Sequence, residues 1–223
     1  MTREMQLAKM RSAWDDRARE NARFYVCTSQ TEWSDEEFFA SGEQNVAEDI
    51  LTDMGNICQG RPPESMRVLE IGCGVGRITR ALAHVFGEVH AVDISGEMIR
   101  LAHRALAGCA NAQVYQNNGC DLTVIPSVDF DFAYSKIVFQ HIPSTDIIEN
   151  YVREVHRLLR PGALFKFQVQ GYPLQTRPDD TWQGVSFSKQ EASAMEERCN
   201  FELRYCFGEG TQYFWLWFFK GHV

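Results

Sequence analysis

The stretch Val68-Leu69-Glu70-Ile71-Gly72-Cys73-Gly74-Val75-Gly76-Arg77-Ile78-Thr79-Arg80-Ala81-Leu82-Ala83 decides the fold of the chain. It opens on a short apolar run carrying one acid, the pattern of a buried parallel strand. Three glycines follow at alternate positions, and then Ile78, Leu82, Val85 and Phe86 recur at helical spacing. Strand, glycine turn and helix N-terminus in that order make a cradle for a nucleoside-bearing ligand. Glycine suits the turn because it tolerates positive φ and has no Cβ to hold a ligand off the backbone.

Downstream the alternation continues. A strand at 88–92 ends at Asp93, Ser95 caps a helix to about residue 107, and a short strand lies near 113–116. Residues 129–134 form the next strand. The run 147–159 is a strongly amphipathic helix closed by Arg160-Pro161-Gly162, and a strand at 163–170 follows. Ser188-Lys189-Gln190-Glu191 is a capping box that opens a helix to about Cys199. Two apolar runs, 201–207 and 212–219, then flank Gly208-Glu209-Gly210-Thr211, a connection short enough only for antiparallel strands. The aromatic run Tyr213–Phe219 is expected to be a strand buried on both faces rather than a binding platform.

The pattern predicts an α/β fold: a Rossmann-like, seven-stranded, mostly parallel sheet with an antiparallel C-terminal hairpin strand and helices on both faces. Upstream, residues 1–60 read as three amphipathic helical blocks: Leu7 to Ala22, a second from the N-cap Ser34 through Phe38 and Phe39, and a third with Val46, Ile50, Leu51 and Met54. Too short and too poor in strands to stand alone, they are expected to form an N-terminal helical cap within the same domain as residues 61–223.

At 223 residues the chain is long enough for one α/β domain with a full core. Its net charge of −8 argues against a broad phosphate-binding surface. No apolar run is long enough to span a membrane, and Met1–Gln6 do not read as a secretory signal. The seven cysteines include no Cys-x-x-Cys pair, which fits reduced thiols in a cytoplasm and predicts no metal site. Cys73, inside the glycine turn, reads as a small tolerated side chain, since no neighbouring histidine would activate it.

In the glycine turn the dinucleotide fingerprint requires glycine at the first, third and sixth positions, and here Arg77 holds the sixth. Asp93, about 20 residues on at a strand end, is placed to accept both hydroxyls of a ribose; Ser95 is better placed than Asp93 to cap the next helix. Four motifs in register then resemble those of class I S-adenosylmethionine-dependent methyltransferases: Glu70–Gly76, Ala91–Ser95, Phe130–Ser135 and Leu158–Leu164. The resemblance covers roughly residues 66–220, and it includes the reversed last strand that separates this fold from nucleotide-dependent dehydrogenases.

The resemblance implies S-adenosylmethionine as cofactor. Gly72, Cys73, Gly74 and Gly76 would pass its methionine portion, with Glu70 orienting that turn; Asp93 would hold the ribose and Ile94 pack on the adenine. Asn118, Gly119 and Cys120 would lie along the adenine edge, with Asp121 a rival to Asn118, and Ser135 would face the methionine moiety. The exit of the fourth strand, Ser135–Pro143, lacks the Asn/Asp-Pro-Pro-aromatic motif of nucleobase-amine methyltransferases, so DNA is not the expected partner. His141 is a candidate general base, with loop packing as its other reading. Lys166, Gln168 and Gln170 alternate onto one face of an interior strand, where an unpartnered amide costs about 1–3 kcal/mol. Gln170, nearest the strand's C-terminal end, is the candidate acceptor contact. The segment 172–187 is long enough to be a substrate lid, with Trp14, Arg17 and Tyr25 closing the other side. The expected reaction is methyl transfer to an oxygen or nitrogen of a small molecule. A protein or RNA acceptor, or a non-catalytic cofactor-binding protein, are the alternatives.

Overall fold

The computed structural model describes residues 1–173, 177 and 179–222. The seven strands are β1 (Arg67–Ile71), β2 (Glu88–Asp93), β3 (Ala112–Gln116), β4 (Phe130–Ser135), β5 (Leu159–Val169), β6 (Phe201–Phe207) and β7 (Phe214–Lys220). They form one sheet in the order β3-β2-β1-β4-β5-β7-β6. Only β7 is reversed: it pairs antiparallel with both β5 and β6, while the pairs among β1 to β5 are parallel. The chain runs outward from β1 to β3 and then returns to β4 beside β1. The C-terminal ends of β1 and β4 therefore flank the place where the winding changes direction, the position at which open α/β sheets hold ligands.

Strand alternation sorts the core onto two faces. On one face, Leu69, Ile71, Ala133, Phe165 and Phe167 pack against Ile147, Ile148, Val152 and Val155 of α6 (Thr145–Leu158) and Met195 of α7 (Lys189–Cys199). On the other, Val68, Val89, Phe132 and Leu164 meet Ile78 and Leu82 of α4 (Arg77–Val85). There Ala91 and Val114 meet Ile99 and Ala102 of α5 (Gly96–Ala105).

The N-terminal segment lies across these helices. α1 (Arg3–Val26) breaks at Asn21, whose side-chain oxygen accepts from the Phe24 N–H. Earlier in α1, Asp15 accepts from the Ser95 hydroxyl and the Glu97 N–H, which ties the helix to the start of α5. The second and third blocks expected from periodicity are divided differently. Val46 belongs to one continuous helix, α2 (Asp35–Asp49), and a single 3-10 turn (Leu51–Asp53) then leads to the short α3 (Met54–Cys58). The Ser34/Glu37 capping box starts α2, and the helix continues through Ser41-Gly42 to Asp49. Close approach of α2 to α4 depends on Gly42, where a Cβ would stand 2.3 Å from the Arg77 carbonyl oxygen.

One further boundary differs from expectation. Arg160-Pro161-Gly162 do not form a separate turn after α6: β5 begins directly at Leu159. The register between β4 and β5 jumps from Phe130↔Leu159 to Phe132↔Leu164, so these residues bulge out of the ladder. Proline has no N–H to donate there, and Gly162 adopts φ +77°. In β7, Phe214, Leu216 and Phe218 are buried in the core, while Trp215 and Trp217 pack against Lys166 on the other face. Both faces are covered, but Tyr213 lies outside the strand and is exposed.

Candidate active site

β1 delivers Glu70 to the base of the glycine turn, where burial pushes its carboxyl up to about 7. One of its oxygens accepts the Thr79 hydroxyl at 2.6 Å, which joins the strand end to α4. Gly72 adopts φ +78°, and a Cβ there would stand 2.1 Å from Val138 Cγ2, so the turn and the β4 exit touch backbone to side chain. The turn is held further by the Gly72 and Cys73 N–H groups, both donating to the Val92 carbonyl.

At the end of β2, Asp93 spreads its carboxylate between two loops: Oδ2 accepts the Gly74 N–H and Oδ1 the Ser95 N–H, each at 2.9 Å. Burial raises this carboxyl to about 6 despite those bonds. A carboxylate has about four lone-pair sites, so two remain for other donors. The Ser95 side chain caps α5 by accepting the Met98 N–H, so Asp93 serves the turn rather than the cap.

These groups line a cleft of about 860 Å³, mouth included, roofed by Met10, Trp14, Tyr25 and Val26 of α1. The break at Asn21 lets the last turn of α1 bring Tyr25 and Val26 there. Of the residues expected to hold the cofactor, Glu70, Gly72, Cys73, Gly74, Asp93, Ile94 and Gly119 lie on this cleft. Four others are not on it. Gly76 starts α4 with φ +83°. Ser135 is fully buried and donates to the Ile71 carbonyl, tying β4 to β1. Asn118 closes an Asx turn, its oxygen accepting the Cys120 and Asp121 N–H groups while its amide donates to Asp121. Cys120 packs against the core at the edge of that turn.

In this segment the cleft residue is instead Asn117, buried at the end of β3. Its amide donates to the Tyr151 hydroxyl at 2.7 Å and its oxygen accepts the Gly119 N–H. Cys73 does line the cleft, but burial pushes its thiol well above the usual range and leaves it a poor nucleophile.

Arg77 carries a signal that periodicity passes over. It is only 4% exposed, and it makes no ion pair with any described residue. Nη1 donates to the neutral oxygens Ser41 Oγ and Asn45 Oδ1, and Nε has no partner. In sequence it stands out only as the residue that breaks the dinucleotide pattern.

Past β4, Ile137 takes φ +56°, an uncommon backbone for a β-branched residue, and its N–H donates to Gln168 Oε1. Lys136 and Ile137 separate the first cleft from a second one of about 1980 Å³, mouth included. His141 borders both clefts. Its Nδ1 lies 2.5 Å from the Trp182 carbonyl, which can only accept, so Nδ1 carries the proton. Nε2 then takes the Gln140 amide at 3.3 Å, and Gln140 in turn accepts from Gln168 at 2.7 Å. Burial lowers the imidazole to about 4.

Gln168 and Lys166 are thus satisfied inside the protein, Lys166 by the Asp49 carbonyl and the Asp53 carboxylate. Gln170 borders the second cleft, its oxygen accepting from the Tyr172 N–H. Within the segment expected to be a lid, residues 174–176 and 178 lie outside the described residues. Thr181 and Trp182 meet α1: Arg17 donates to the Thr181 carbonyl and hydroxyl, and its guanidinium lies 4.7 Å from the Trp14 ring and 5.1 Å from the Trp182 ring.

Comparison with known proteins agrees with this architecture. Residues 68–162 match the family model described as a methyltransferase domain. A malonyl-[acyl-carrier protein] O-methyltransferase from Enterobacter lignolyticus is 35% identical over 103 residues, which is 45% of this chain and 38% of the relative. A ubiquinone biosynthesis O-methyltransferase from Xanthomonas oryzae pv. oryzae is 28% identical over 98 residues, 44% of this chain and 40% of that one. The chain thus spans about two fifths of the length of these relatives. Among solved structures, the DhpI–SAH complex superposes over 100% of both chains with a TM-score of 0.68 at 20% identity. Phosphoethanolamine N-methyltransferase 1 of Haemonchus contortus superposes over 100% of this chain and 51% of its own, with a TM-score of 0.75 at 14% identity. Residues 68–162 thus match a methyltransferase domain, and the whole chain shares the fold of these solved structures.

Proposed function

We infer that the protein transfers a methyl group from S-adenosylmethionine to an oxygen or nitrogen of a small molecule. The observation that carries this reading is the meeting of two clefts at His141, one lined by the glycine turn and Asp93 and the other larger and open to the Gln170 side. The first cleft fits the cofactor on the chemistry of its lining. Asp93 retains lone pairs for the ribose hydroxyls. The buried, unpaired Arg77 suits the α-carboxylate, and Ile94 and Met98 offer apolar surface to the adenine. The names of the two curated relatives, both O-methyltransferases, support transfer to oxygen, and that of the ubiquinone enzyme supports a small acceptor. No helix among the described residues is long and apolar enough to cross a membrane, and the seven free thiols suit a reducing compartment such as the cytoplasm.

When bound, the cofactor supplies a methyl group already activated on a sulfonium. The protein's part is then to align the acceptor with it and exclude water. Trp14, Tyr25 and Trp182 cover the junction, and the positive-φ Ile137 and neighbouring Val138 form the wall between donor and acceptor. His141 is held by Trp182 as the Nδ1–H tautomer, so Nε2 has the lone pair that takes an acceptor proton as the methyl is transferred. The 3.3 Å contact from Gln140 is long and gives way to a hydroxyl. With its imidazole near 4, His141 is neutral across the neutral range, so the base form is present above that value and lost only in acid.

Replacing His141 by asparagine is expected to lower kcat about 100-fold, the lower end for a positioned base, with KM for the cofactor little changed. A loss below about fivefold in steady-state assays would leave His141 a packing residue only. Cofactor affinity should also depend on pH. Asp93 binds hydroxyl donors as the carboxylate, and with its carboxyl near 6 that form is lost as pH falls. Titration calorimetry with S-adenosylhomocysteine should therefore show about fourfold weaker binding at pH 5.5 than at pH 7.5, with proton release at the lower pH. The function itself is tested by offering labelled S-adenosylmethionine and fractionated metabolites to the purified protein. NAD binding without S-adenosylmethionine binding would refute it.

A further inference from the structure

We propose that the second cleft selects acceptor molecules bearing an anionic group, a carboxylate or a phosphate, held by Lys136 and the Gln170 amide. This rests on reading the first cleft as the cofactor site. The chain carries 30 acidic against 22 basic residues, yet no aspartate or glutamate is among the described residues lining the second cleft. Its charged side chains are Arg77 and Lys136. Arg77 is shared with the first cleft, where the cofactor's α-carboxylate answers it, and Lys136 is left for the acceptor.

Lys136 has three ammonium donors and directs one of them to Asp49 at 2.6 Å. Asp49 divides its charge, since the same oxygen also accepts the Tyr134 hydroxyl at 2.8 Å. A second ammonium, Lys166, stands behind the same wall: both Lys136 and Lys166 lie within 5.9 Å of the Trp215 ring. Two amides of the neutral lining add donors. Gln170 and Asn45 each have their side-chain oxygen engaged, by the Tyr172 N–H and by Arg77, while their amide N–H groups donate to no described residue.

A cationic amine entering this cleft would meet Lys136 and Arg77 on a lining with no carboxylate of its own, the charge of Asp49 behind it being already divided. An anion would gain charge-assisted hydrogen bonds in a partly dry site. The cleft therefore discriminates by charge before the reacting atom reaches His141.

The test uses the full chain saturated with S-adenosylhomocysteine, whose own binding is first measured by calorimetry. Failure at that stage refutes the cofactor reading rather than this one. Three probes of similar size are then titrated by saturation-transfer NMR: 4-hydroxyphenylacetate, phenyl phosphate and tyramine. At least one anion should bind about tenfold more tightly than tyramine, the value of one charge-assisted bond. The stronger of the two anions identifies carboxylate or phosphate as the preferred group. In Lys136→Met that preference should fall to within about twofold, and Gln170→Leu should weaken the anion about threefold or more. Tyramine binding as well as or better than both anions overturns the proposal, as does binding of neither anion to the loaded protein. An anion preference that survives in Lys136→Met overturns it as well.

Discussion

Asp93→Ala is expected to weaken S-adenosylhomocysteine binding by about 3 kcal/mol, more than a hundredfold, in titration calorimetry. Two losses combine. In the proposed cofactor site, the hydrogen bonds that ribose hydroxyls would make to this carboxylate disappear, and charge-assisted bonds of this kind contribute about 1.5–3 kcal/mol each before compensation. The Gly74 and Ser95 N–H groups also lose their acceptor, which frees the glycine turn from the end of β2. Asp93→Asn separates the two effects. Its single amide oxygen can still take one of these N–H groups, but it brings an NH2 where the second must be met, so binding should recover only in part. Cooperative unfolding without ligand should persist in both variants, because the core beneath the turn is formed by Leu69, Ile71 and Val92. An Asp93→Ala protein that binds with wild-type affinity would remove the ribose role.

Arg77→Met is expected to move stability and binding in opposite directions. A buried guanidinium with two neutral acceptors and an unpartnered Nε carries a desolvation cost that the charges of Glu70 and Asp49 offset only in part, and burial accordingly lowers its pKa. Methionine has similar length and no charge. The ligand-free melting temperature should stay level or rise, while S-adenosylhomocysteine affinity falls by about 2–3 kcal/mol, about thirty- to 150-fold. The ligand-induced thermal shift should shrink in proportion. A structural arginine would behave in the reverse way, with melting temperature falling and affinity kept.

Much of the fold is legible in the sequence because its periodicities are local. Ile147, Ile148, Tyr151, Val152, Val155 and Leu158 mark one helical face wherever the helix lies, and that face is the one buried in α6. The short link after β6, expected as Gly208–Thr211 and running over 208–213 in the structure, admits only an antiparallel return, which is how β6 and β7 pair. Expectation and structure part where two signals compete in a few residues. Pro161 and Gly162 mark a stop, but a strand can absorb them as a bulge when its neighbour supplies the ladder on either side.

The site divides along the same line. Spacing in the chain by itself determined that a glycine turn follows β1, that an acid ends β2, and that a polar segment follows β3, since each is set by its position relative to a strand end. Which side chain of each segment reaches the cleft was decided by tertiary structure alone. Asn118 spends its oxygen on a local turn while its neighbour Asn117 is fixed by Tyr151 from α6, 34 residues away. Ser135 is consumed by β1, and Lys136 borders the clefts instead. The deepest case is Arg77: its charge is buried without an ion pair among the described residues only when α2, α4 and the glycine turn close around it, and no local pattern records that.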